Sequence, residues 1–305
     1  MVTISALFAW MGLLNACQIG LPAPVLPTSD TLRSFLCQLQ EIDLEAIAQS
    51  CYDLAIIDYS SDGRETGEFT HTEISSLTDG PNAPRTILSY MSIGEAEEYR
   101  YYWQSSWKPG KPIWLDAENP AWDGNYRARY WDPEWQRIIL AYTDRVIDAG
   151  FHGVYLDLVD SYEYYETLGR TTAAAEMVAW IGRIRAHATA QNPDFLVFVQ
   201  NAPELVRSFP SYVELVDGIG QEDIYYGYID DDVKTPPEVT AELESHLDIF
   251  LAAGKLVLTI DYATTLHRID DAYEKARTKG YVPLATVRAL DRLTIHPEHN
   301  PCVGE

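Results

Sequence analysis

Residues 153–160 read Gly153-Val154-Tyr155-Leu156-Asp157-Leu158-Val159-Asp160, a short apolar run that ends abruptly in a carboxylate. Buried parallel strands are continuous apolar runs, and in a barrel of such strands the active site gathers at their carboxyl ends. Runs of the same kind, each followed by an acid or an amide, recur along the chain and end at Asp58, Glu95, Asn201, Glu222 and Asp261. The pattern therefore predicts that polar side chains from several strands converge on one pocket.

Strand and helix signals alternate after residue 33 and predict one (β/α)8 barrel of the TIM type, in the α/β class. The predicted strands cover residues 34–39, 53–58, 85–93, 154–158, 195–200, 218–221, 255–260 and 282–285. The predicted helices cover residues 44–48, 73–77, 133–149, 171–191, 236–253 and 271–279. A doubly wound open sheet is the alternative, but the chain lacks the glycine-rich phosphate turn that such folds usually carry.

The two ends of the chain differ in composition from the barrel at 34–295. Residues 1–17 hold an apolar run too short to span a bilayer, which resembles an export signal although no Lys or Arg precedes it. Residues 14–17 resemble a lipoprotein cleavage box, in which Cys17 would carry the lipid. Residues 18–33 read as a linker and residues 296–305 as a tail. We therefore expect a protein that is secreted or lipid-anchored at the cell surface or periplasm. The alternatives for residues 1–17 are a mistranslated start or a helix packed on the barrel.

The charge balance is strongly acidic, with 46 Asp and Glu against 22 Lys and Arg and a formal net charge of −24. This argues against nucleic acid as a partner, because phosphates need a basic footprint. It favours a cationic substrate or metal ions, unless the acids simply form a solvated surface. The four cysteines show no metal-binding spacing. Cys51 and Cys302 could pair across the chain ends, which the sequence leaves open.

Two strand-end acids are the candidates for catalysis. Asp157 and Glu222 follow the fourth and sixth predicted strands and would face each other across the barrel mouth. Glycoside hydrolysis needs one ionised and one protonated carboxyl group beside the scissile bond. We assign Asp157 as the nucleophile and Glu222 as the general acid/base, whose pKa partial burial or the charge of Asp157 would raise. The alternative is that these acids only bind backbone amides.

The segment 94–132 is rich in aromatic residues and would lie on the catalytic face as a long loop. Aromatic faces stack on sugar rings and attract ammonium groups, although about half of these rings would form a core for the loop itself. A second candidate platform follows Glu222, at Tyr225, Tyr226 and Tyr228. The rings of the segment are Tyr99, Tyr101, Tyr102, Trp103, Trp107, Trp114, Trp122, Tyr126, Tyr130 and Trp131.

Other chemistries fit the sequence less well. Lys255 begins its strand, whereas a Schiff-base lysine would stand at a strand's carboxyl end. The seven histidines form no zinc-binding motif. A magnesium site built from Asp58, Glu95 and Asp157 is the main enzymatic rival.

Taken in order, these motifs resemble those of glycoside hydrolase family 114, the endo-α-1,4-polygalactosaminidases. The resemblance spans roughly residues 34–290 and rests on residues 39–40, 57–60, 90–97, 99–100, 130–135, 150–157 and 220–223. It implies a TIM barrel, no cofactor, and hydrolysis of α-1,4-linked galactosamine polymers with retention of configuration. The family's catalytic Asp and Glu fall on Asp157 and Glu222.

We therefore expect a glycosidase with no cofactor and no metal. Its partner is a cationic amino-sugar polysaccharide. Two alternatives from other classes are a non-catalytic polysaccharide-binding barrel lipoprotein and a metal-assisted polysaccharide deacetylase. The residues expected to hold sugar hydroxyls or amines, or to shape the pocket, are Asp58, Tyr59, Glu95, Arg100, Trp131, Asn201, Tyr225 and Asp261.

Overall fold

The structure is a computed structural model that describes residues 32–78, 82 and 84–303. The expected export segment at 1–17, its Cys17, and the linker up to residue 31 lie outside the described residues. Within the described part of the chain, no helix is long and apolar enough to cross a membrane.

Eight parallel strands form one sheet that is nearly closed into a barrel, which confirms the predicted (β/α)8 fold. In chain order, the strands of the protein are β1 (Phe35–Gln38), β2 (Leu54–Ile57), β3 (Thr86–Ser92), β4 (Glu95–Glu97), β5 (Leu115–Glu118), β6 (Asn125–Ala128), β7 (Gly153–Asp157), β8 (Leu196–Gln200), β9 (Gly218–Glu222), β10 (Leu256–Asp261) and β11 (Val282–Ala285). The eight barrel strands stand in the order β1-β2-β3-β7-β8-β9-β10-β11, and β1 lies against β11.

The helices cover the outside of the sheet. They are α1 (Leu44–Gln49), α2 (His71–Thr78), α3 (Pro133–Asp148), α4 (Ser161–Thr167), α5 (Ala173–Gln191), α6 (Leu205–Ser208), α7 (Pro237–Ala252) and α8 (Leu266–Lys279). Two of them, α4 and α6, are short and were not predicted. Helix α8 begins five residues before the predicted start at 271, and Ile269 in this extra turn is buried together with Ala272, Tyr273 and Ala276. That spacing is one helical face.

Side chains alternate between two cores along each barrel strand, because successive strand residues point to opposite faces of a sheet. The inner core contains the rings and aliphatic chains that fill the barrel, among them Phe35, Cys37, Leu54, Ile56, Leu88, Tyr155, Leu196, Phe198, Leu256, Leu258, Ile260, Val282 and Leu284. The outer core joins the other strand face to the helices. This alternation also determines whether the side chain of the last residue in each strand points into the barrel or toward the helices.

The aromatic segment forms a small antiparallel sheet of its own, in the order β4-β6-β5. Its rings pack edge to face on one another. The ring centroid of Trp107 lies 4.9 Å from that of Trp114 and 5.3 Å from that of Trp103. Trp114 is fully buried, whereas Trp122 is 56% exposed. Part of the set is therefore a core for the segment, as the sequence predicted.

The amino-terminal face of the barrel is closed by the end of the chain. Cys302 forms a disulfide with Cys51, which lies 251 residues earlier and just before β2. The ring of His299 stacks on Tyr273 at 4.0 Å. Cys37 is free and buried inside the barrel.

Candidate active site

Alternation along β7 and β9 directs Asp157 and Glu222 into the barrel lumen. Tyr155 and Gly220 lie two residues before them, on the same faces of the same strands. The Tyr155 hydroxyl lies only 1.8 Å from where a Cβ on Gly220 would stand, so both positions face the interior. Gly220 thus makes room for the ring below the two acids.

Neutral donors hold the Asp157 carboxylate. The Tyr90 hydroxyl donates to Oδ2 at 2.7 Å, and the backbone N–H of Leu158 donates to Oδ1 at 2.7 Å. Burial raises the pKa of the Asp157 carboxyl well above its ordinary value, and the charge of Glu222 adds to the rise. Burial also raises the pKa of the Cys37 thiol, which lies among the inner-core residues, and the charges of Glu222 and Asp157 add to that rise.

Glu222 is held by residues from the two neighbouring strands. Asn201, just after β8, donates from Nδ2 to Oε2 of Glu222 at 3.1 Å. Tyr262, just after β10, donates its hydroxyl to Oε1. The Asn201 amide is itself oriented, because Gln221 donates to its Oδ1 at 3.1 Å and the Glu222 N–H at 3.2 Å. The guanidinium of Arg288 lies 3.9 Å over the Tyr262 ring.

The backbone after these strand ends adopts the left-handed region. Leu158, Asn201, Ala202 and Asp223 have φ values of 61°, 61°, 54° and 61°. Non-glycine residues in this region cost on the order of 1–3 kcal/mol each and cluster at functional sites. The three turns that follow β7, β8 and β9 thus carry strain next to the residues that face the lumen.

A third acid, Asp160, belongs to the same region and was not predicted as a site residue. Burial raises its pKa to about 6, and the charges of Glu163, Glu222 and Glu204 add to the rise. The signal was present in the sequence, since Asp160 closes the stretch 153–160. Tyr90 and Tyr262 were also missed, because a tyrosine near a strand end carries no distinctive motif.

Asp58, Arg100 and Tyr59 join the aromatic segment to the barrel. Arg100 pairs with Asp58 at 2.7 Å and with Glu97 at 2.5 Å, and all three side chains are buried. The Tyr59 ring packs on Tyr142 at 4.7 Å. Burial raises the pKa of Asp58 to about 6, against the lowering effect of the Arg100 charge. This buried ion network fixes the segment over β2.

Three further predicted residues are placed apart from the pair. The Asp261 side chain, at the end of β10, points away from the barrel lumen. Its Oδ1 accepts hydrogen bonds from the backbone N–H groups of Tyr225 at 2.6 Å and Tyr226 at 2.8 Å. Tyr225 is buried and donates its hydroxyl to Glu244. Trp131 lies under the guanidinium of Arg170, 3.7 Å from its ring. The contacts of these three side chains are with the protein, and their expected contact with sugar stays a prediction.

Glu95 lies at the start of β4, beside the end of β3. It is 2% exposed, and Asn119 donates to its Oε1 at 2.9 Å. Within the described residues, no group of three or more His, Cys, Asp or Glu side chains is arranged to hold a metal ion. Asp58, Glu95 and Asp157, the acids of the magnesium alternative, therefore do not come together as such a group.

The fold is shared with solved glycoside hydrolase domains. The glycoside hydrolase domain of PelA from Pseudomonas aeruginosa is 20% identical with a TM-score of 0.65, and the match covers 85% of this chain and 96% of that one. Ega3 from Aspergillus fumigatus, solved in complex with galactosamine, is 18% identical with a TM-score of 0.66, covering 88% and 96%. At these identities the likeness establishes the fold.

Sequence relatives come from distant organisms. A protein of Deinococcus radiodurans is 41% identical over 256 residues, which cover 83% of this chain and 79% of the relative. One of Thermotoga maritima is 37% identical over 272 residues, covering 85% and 81%. Neither name states an activity. The sequence model of glycoside hydrolase family GH114 matches residues 25–302, nearly the whole chain. The chain therefore belongs to glycoside hydrolase family GH114.

Proposed function

We propose that this protein hydrolyses polysaccharides that contain α-1,4-linked galactosamine, with Asp157 as nucleophile and Glu222 as general acid/base. The observation that carries the proposal is the pair itself: two carboxyl groups on the lumen side of β7 and β9, each held by neutral donors from neighbouring residues. Membership of GH114 and the galactosamine bound to Ega3 support the substrate class. The net charge of −24 suits a polymer of free amines.

The reaction follows the two-step course of retaining glycosidases. An Asp157 oxygen attacks the anomeric carbon while the glycosidic C–O bond breaks, and Glu222 gives its proton to the leaving oxygen. Glu222, now a carboxylate, then takes a proton from water. The oxygen of that water displaces Asp157 from the anomeric carbon, which regenerates both groups. Two inversions at one carbon give net retention.

The retaining mechanism requires an ionised Asp157 and a protonated Glu222 when the substrate binds. Burial and the charge of Glu222 raise the pKa of Asp157, so ionising both carboxyl groups at once carries an electrostatic cost. Tyr90 and the Leu158 N–H favour the ionised form of Asp157, since both donate to its oxygens. A cationic sugar bound in the pocket would lower the raised pKa of Asp157 and so favour its ionised, nucleophilic form.

The experiment is incubation with partially deacetylated α-1,4-linked galactosamine polymer, scored by reducing ends and oligosaccharide masses. Asp157→Asn and Glu222→Gln proteins run alongside, with circular dichroism to check that both are folded. Oligomers from the wild type alone support the proposal, and the anomer released first, followed by NMR, tests retention. Binding without cleavage indicates a non-catalytic capture protein. No binding means that the substrate class is wrong.

We also propose that the protein is exported and anchored through Cys17. The Cys51–Cys302 disulfide supports export, because disulfides persist in oxidising compartments outside the cytoplasm. Cell fractionation and mass spectrometry of the mature amino terminus test it. A cytoplasmic protein that keeps Met1 would contradict export, and an exported Cys17→Ser variant that still sediments with membranes would contradict the anchor.

A further inference from the structure

Arg288 lies at the carboxyl end of the barrel, three residues after β11, and was not predicted as a site residue. Its guanidinium binds three residues of the loop between β9 and α7. Nε donates to Asp231 at 2.8 Å, and Nη2 donates to the carbonyl oxygen of Gly227 at 2.8 Å and to Asp223 at 3.2 Å. A planar guanidinium with several partners is held in one orientation.

The close approach of Arg288 to this loop depends on Gly227. Its φ of 118° is one that L side chains rarely adopt, and a Cβ there would stand 2.0 Å from Oδ1 of Asp223 and 3.2 Å from Nη2 of Arg288. Asp223 directly follows Glu222. The loop that Arg288 holds therefore begins at the proposed general acid/base.

The same guanidinium lies over the ring of Tyr262. Its central carbon is 3.9 Å from the ring centroid, within the range of cation–π attraction. Tyr262 is 2% exposed, and its hydroxyl donates to Oε1 of Glu222. Burial raises the pKa of this hydroxyl well above its ordinary value, so it stays protonated and remains a donor. A continuous chain of contacts thus runs from Asp223 and Asp231 through Arg288 and the Tyr262 ring to Glu222.

The two donors to Glu222 are oriented in different ways. Asn201 donates to Oε2, and its amide is itself oriented because Gln221 donates to the amide oxygen at 3.1 Å. A phenol ring has no second polar atom that a neighbour could bind, so packing against its faces sets the direction of its hydroxyl. Arg288 covers one face of the Tyr262 ring.

We propose that Arg288 is a positioning residue for the general acid/base and acts through Tyr262. Its guanidinium fixes the ring whose hydroxyl orients the Glu222 carboxyl toward the leaving oxygen. This inference rests on the proposed function and adds to it a residue that follows the last strand of the barrel. A purely structural arginine would stabilise the loop after β9 and leave proton transfer from Glu222 unchanged.

The test compares two substrates that differ in their need for a proton. Galactosamine polymer leaves through a sugar hydroxyl oxygen and needs protonation, whereas a nitrophenyl glycoside of an α-1,4-linked galactosamine oligosaccharide releases a phenolate that leaves without it. The kcat/KM on each substrate reports glycosidic cleavage, because water attacks later. In Arg288→Met, the ratio of kcat/KM on polymer to that on nitrophenyl glycoside should fall about fivefold, the size of a partly exposed cation–π contact.

Arg145→Met is the matched control. Arg145 lies 3.8 Å over the Tyr101 ring and pairs with Glu65 and Glu68, and its side chain is 35% exposed against 39% for Arg288. This variant should leave the ratio unchanged. Arg288→Lys keeps the charge but loses the planar fork, so the ratio should fall about twofold. It replaces Arg288→Met in the test if that variant does not fold.

A double-mutant cycle tests whether Arg288 acts through Tyr262. If it does, Arg288→Met lowers the ratio no further in the Tyr262→Phe protein, because the hydroxyl that Arg288 positions is already absent. Effects that multiply would mean that Arg288 acts by another route, and the inference would be wrong. Equal losses of kcat/KM on both substrates would also overturn it, because they indicate a structural role.

Crystal structures of the wild type and Arg288→Met separate this inference from the proposed function, because they need no substrate. We expect the Tyr262 ring to shift in the variant and its hydroxyl to lose contact with Oε1 of Glu222. An unchanged contact means that the inference is wrong even where the wild type cleaves polymer. A lost contact in a protein whose wild type cleaves neither substrate means that Arg288 does hold Tyr262 and that the hydrolytic proposal fails.

Discussion

Acidic side chains at the two ends of the barrel have different kinds of partner. At the amino-terminal end, Asp53 accepts the N–H groups of Arg33 and Ser34, both at 2.9 Å. Asp217 there pairs with Arg185 at 2.8 Å and accepts the Val197 N–H at 2.8 Å. At the carboxyl end, Asp157 and Glu222 lie together and accept only from neutral groups. Asp53 and Asp217, which precede their strands, hold the fold together, whereas Asp157 and Glu222, at the ends of theirs, are kept close at an electrostatic cost.

The two ends of the barrel also differ in backbone conformation and covalent linkage. The left-handed residues Leu158, Asn201 and Asp223 follow the strands at the carboxyl end, and the Cys51–Cys302 disulfide closes the amino-terminal end. Strained conformations persist where the surrounding structure over-determines them. Substitutions at the two ends should therefore separate effects on stability from effects on activity.

The largest expected effect is the loss of turnover at the carboxyl end. Glu222→Gln removes the general acid, which contributes about 10²–10⁴-fold to rate, and Asp157→Asn removes the nucleophile with a loss at least as large. We expect both folded variants to show these losses in kcat on galactosamine polymer. Asp217→Asn, at the other end, should lose stability and keep kcat. Near-normal kcat in either of the first two variants would show that its catalytic assignment is wrong.

The next largest effect is a loss of stability when the disulfide at the amino-terminal end is removed. Replacing both Cys51 and Cys302 by Ser frees a connection across 251 residues, and losing a native disulfide typically costs about 2–5 kcal/mol of unfolding free energy. Urea unfolding of the variant should show this loss, and reductant should bring the wild type to the same midpoint. The kcat of the folded variant should be unchanged. A parallel fall in kcat would mean that the two ends are coupled.

A smaller change at the carboxyl end is Tyr262→Phe. It removes the hydroxyl that donates to Oε1 of Glu222 and leaves the ring under Arg288 in place. Loss of one hydrogen bond that positions Glu222 corresponds to a fall of about tenfold in kcat. The matched control is Tyr226→Phe, whose lost hydroxyl donates to Asp271 instead. Equal kcat in both variants would show that Tyr262 does not position Glu222.

The smallest expected effect is on the pH dependence of stability. The folded pKa of Asp157 is raised by burial above its unfolded value, so the stability linked to this group is full at low pH and is lost as pH rises through the folded pKa. Asp157→Asn should therefore melt higher than the wild type at about pH 8, and the difference should vanish near pH 4.

Asp232→Asn is a control of opposite sign. Hydrogen bonds from Thr264 and Thr265 lower the pKa of Asp232 to about 2 despite some burial. A group with a lowered folded pKa adds stability above its unfolded pKa and loses it as pH falls. The Asp232→Asn variant should thus melt lower than the wild type at about pH 8. If Asp157→Asn melts lower there too, the ionised Asp157 is not destabilising.

Most of the barrel could be predicted from the sequence because its signals are local. Apolar runs of strand length are separated by helical segments, one of which has Pro133 at its start and Gly150 just past its end. These signals specify β/α units without knowledge of their partners. The strands of the small sheet β4-β6-β5 were not predicted, since aromatic packing rather than a periodic pattern defines them.

The α/β alternation, the acids at strand ends, and the choice of Asp157 and Glu222 as catalytic candidates all follow from the sequence alone. Which strand-end residues face the lumen depends on the folded barrel, in which Asp261 points outward although its sequence pattern matches that of Asp157. The donors to Glu222 also depend on the fold, because Asn201 and Tyr262 are 21 and 40 residues away along the chain. Side-chain direction and hydrogen bonding depend on strand register and on contacts between distant segments, which no local pattern encodes.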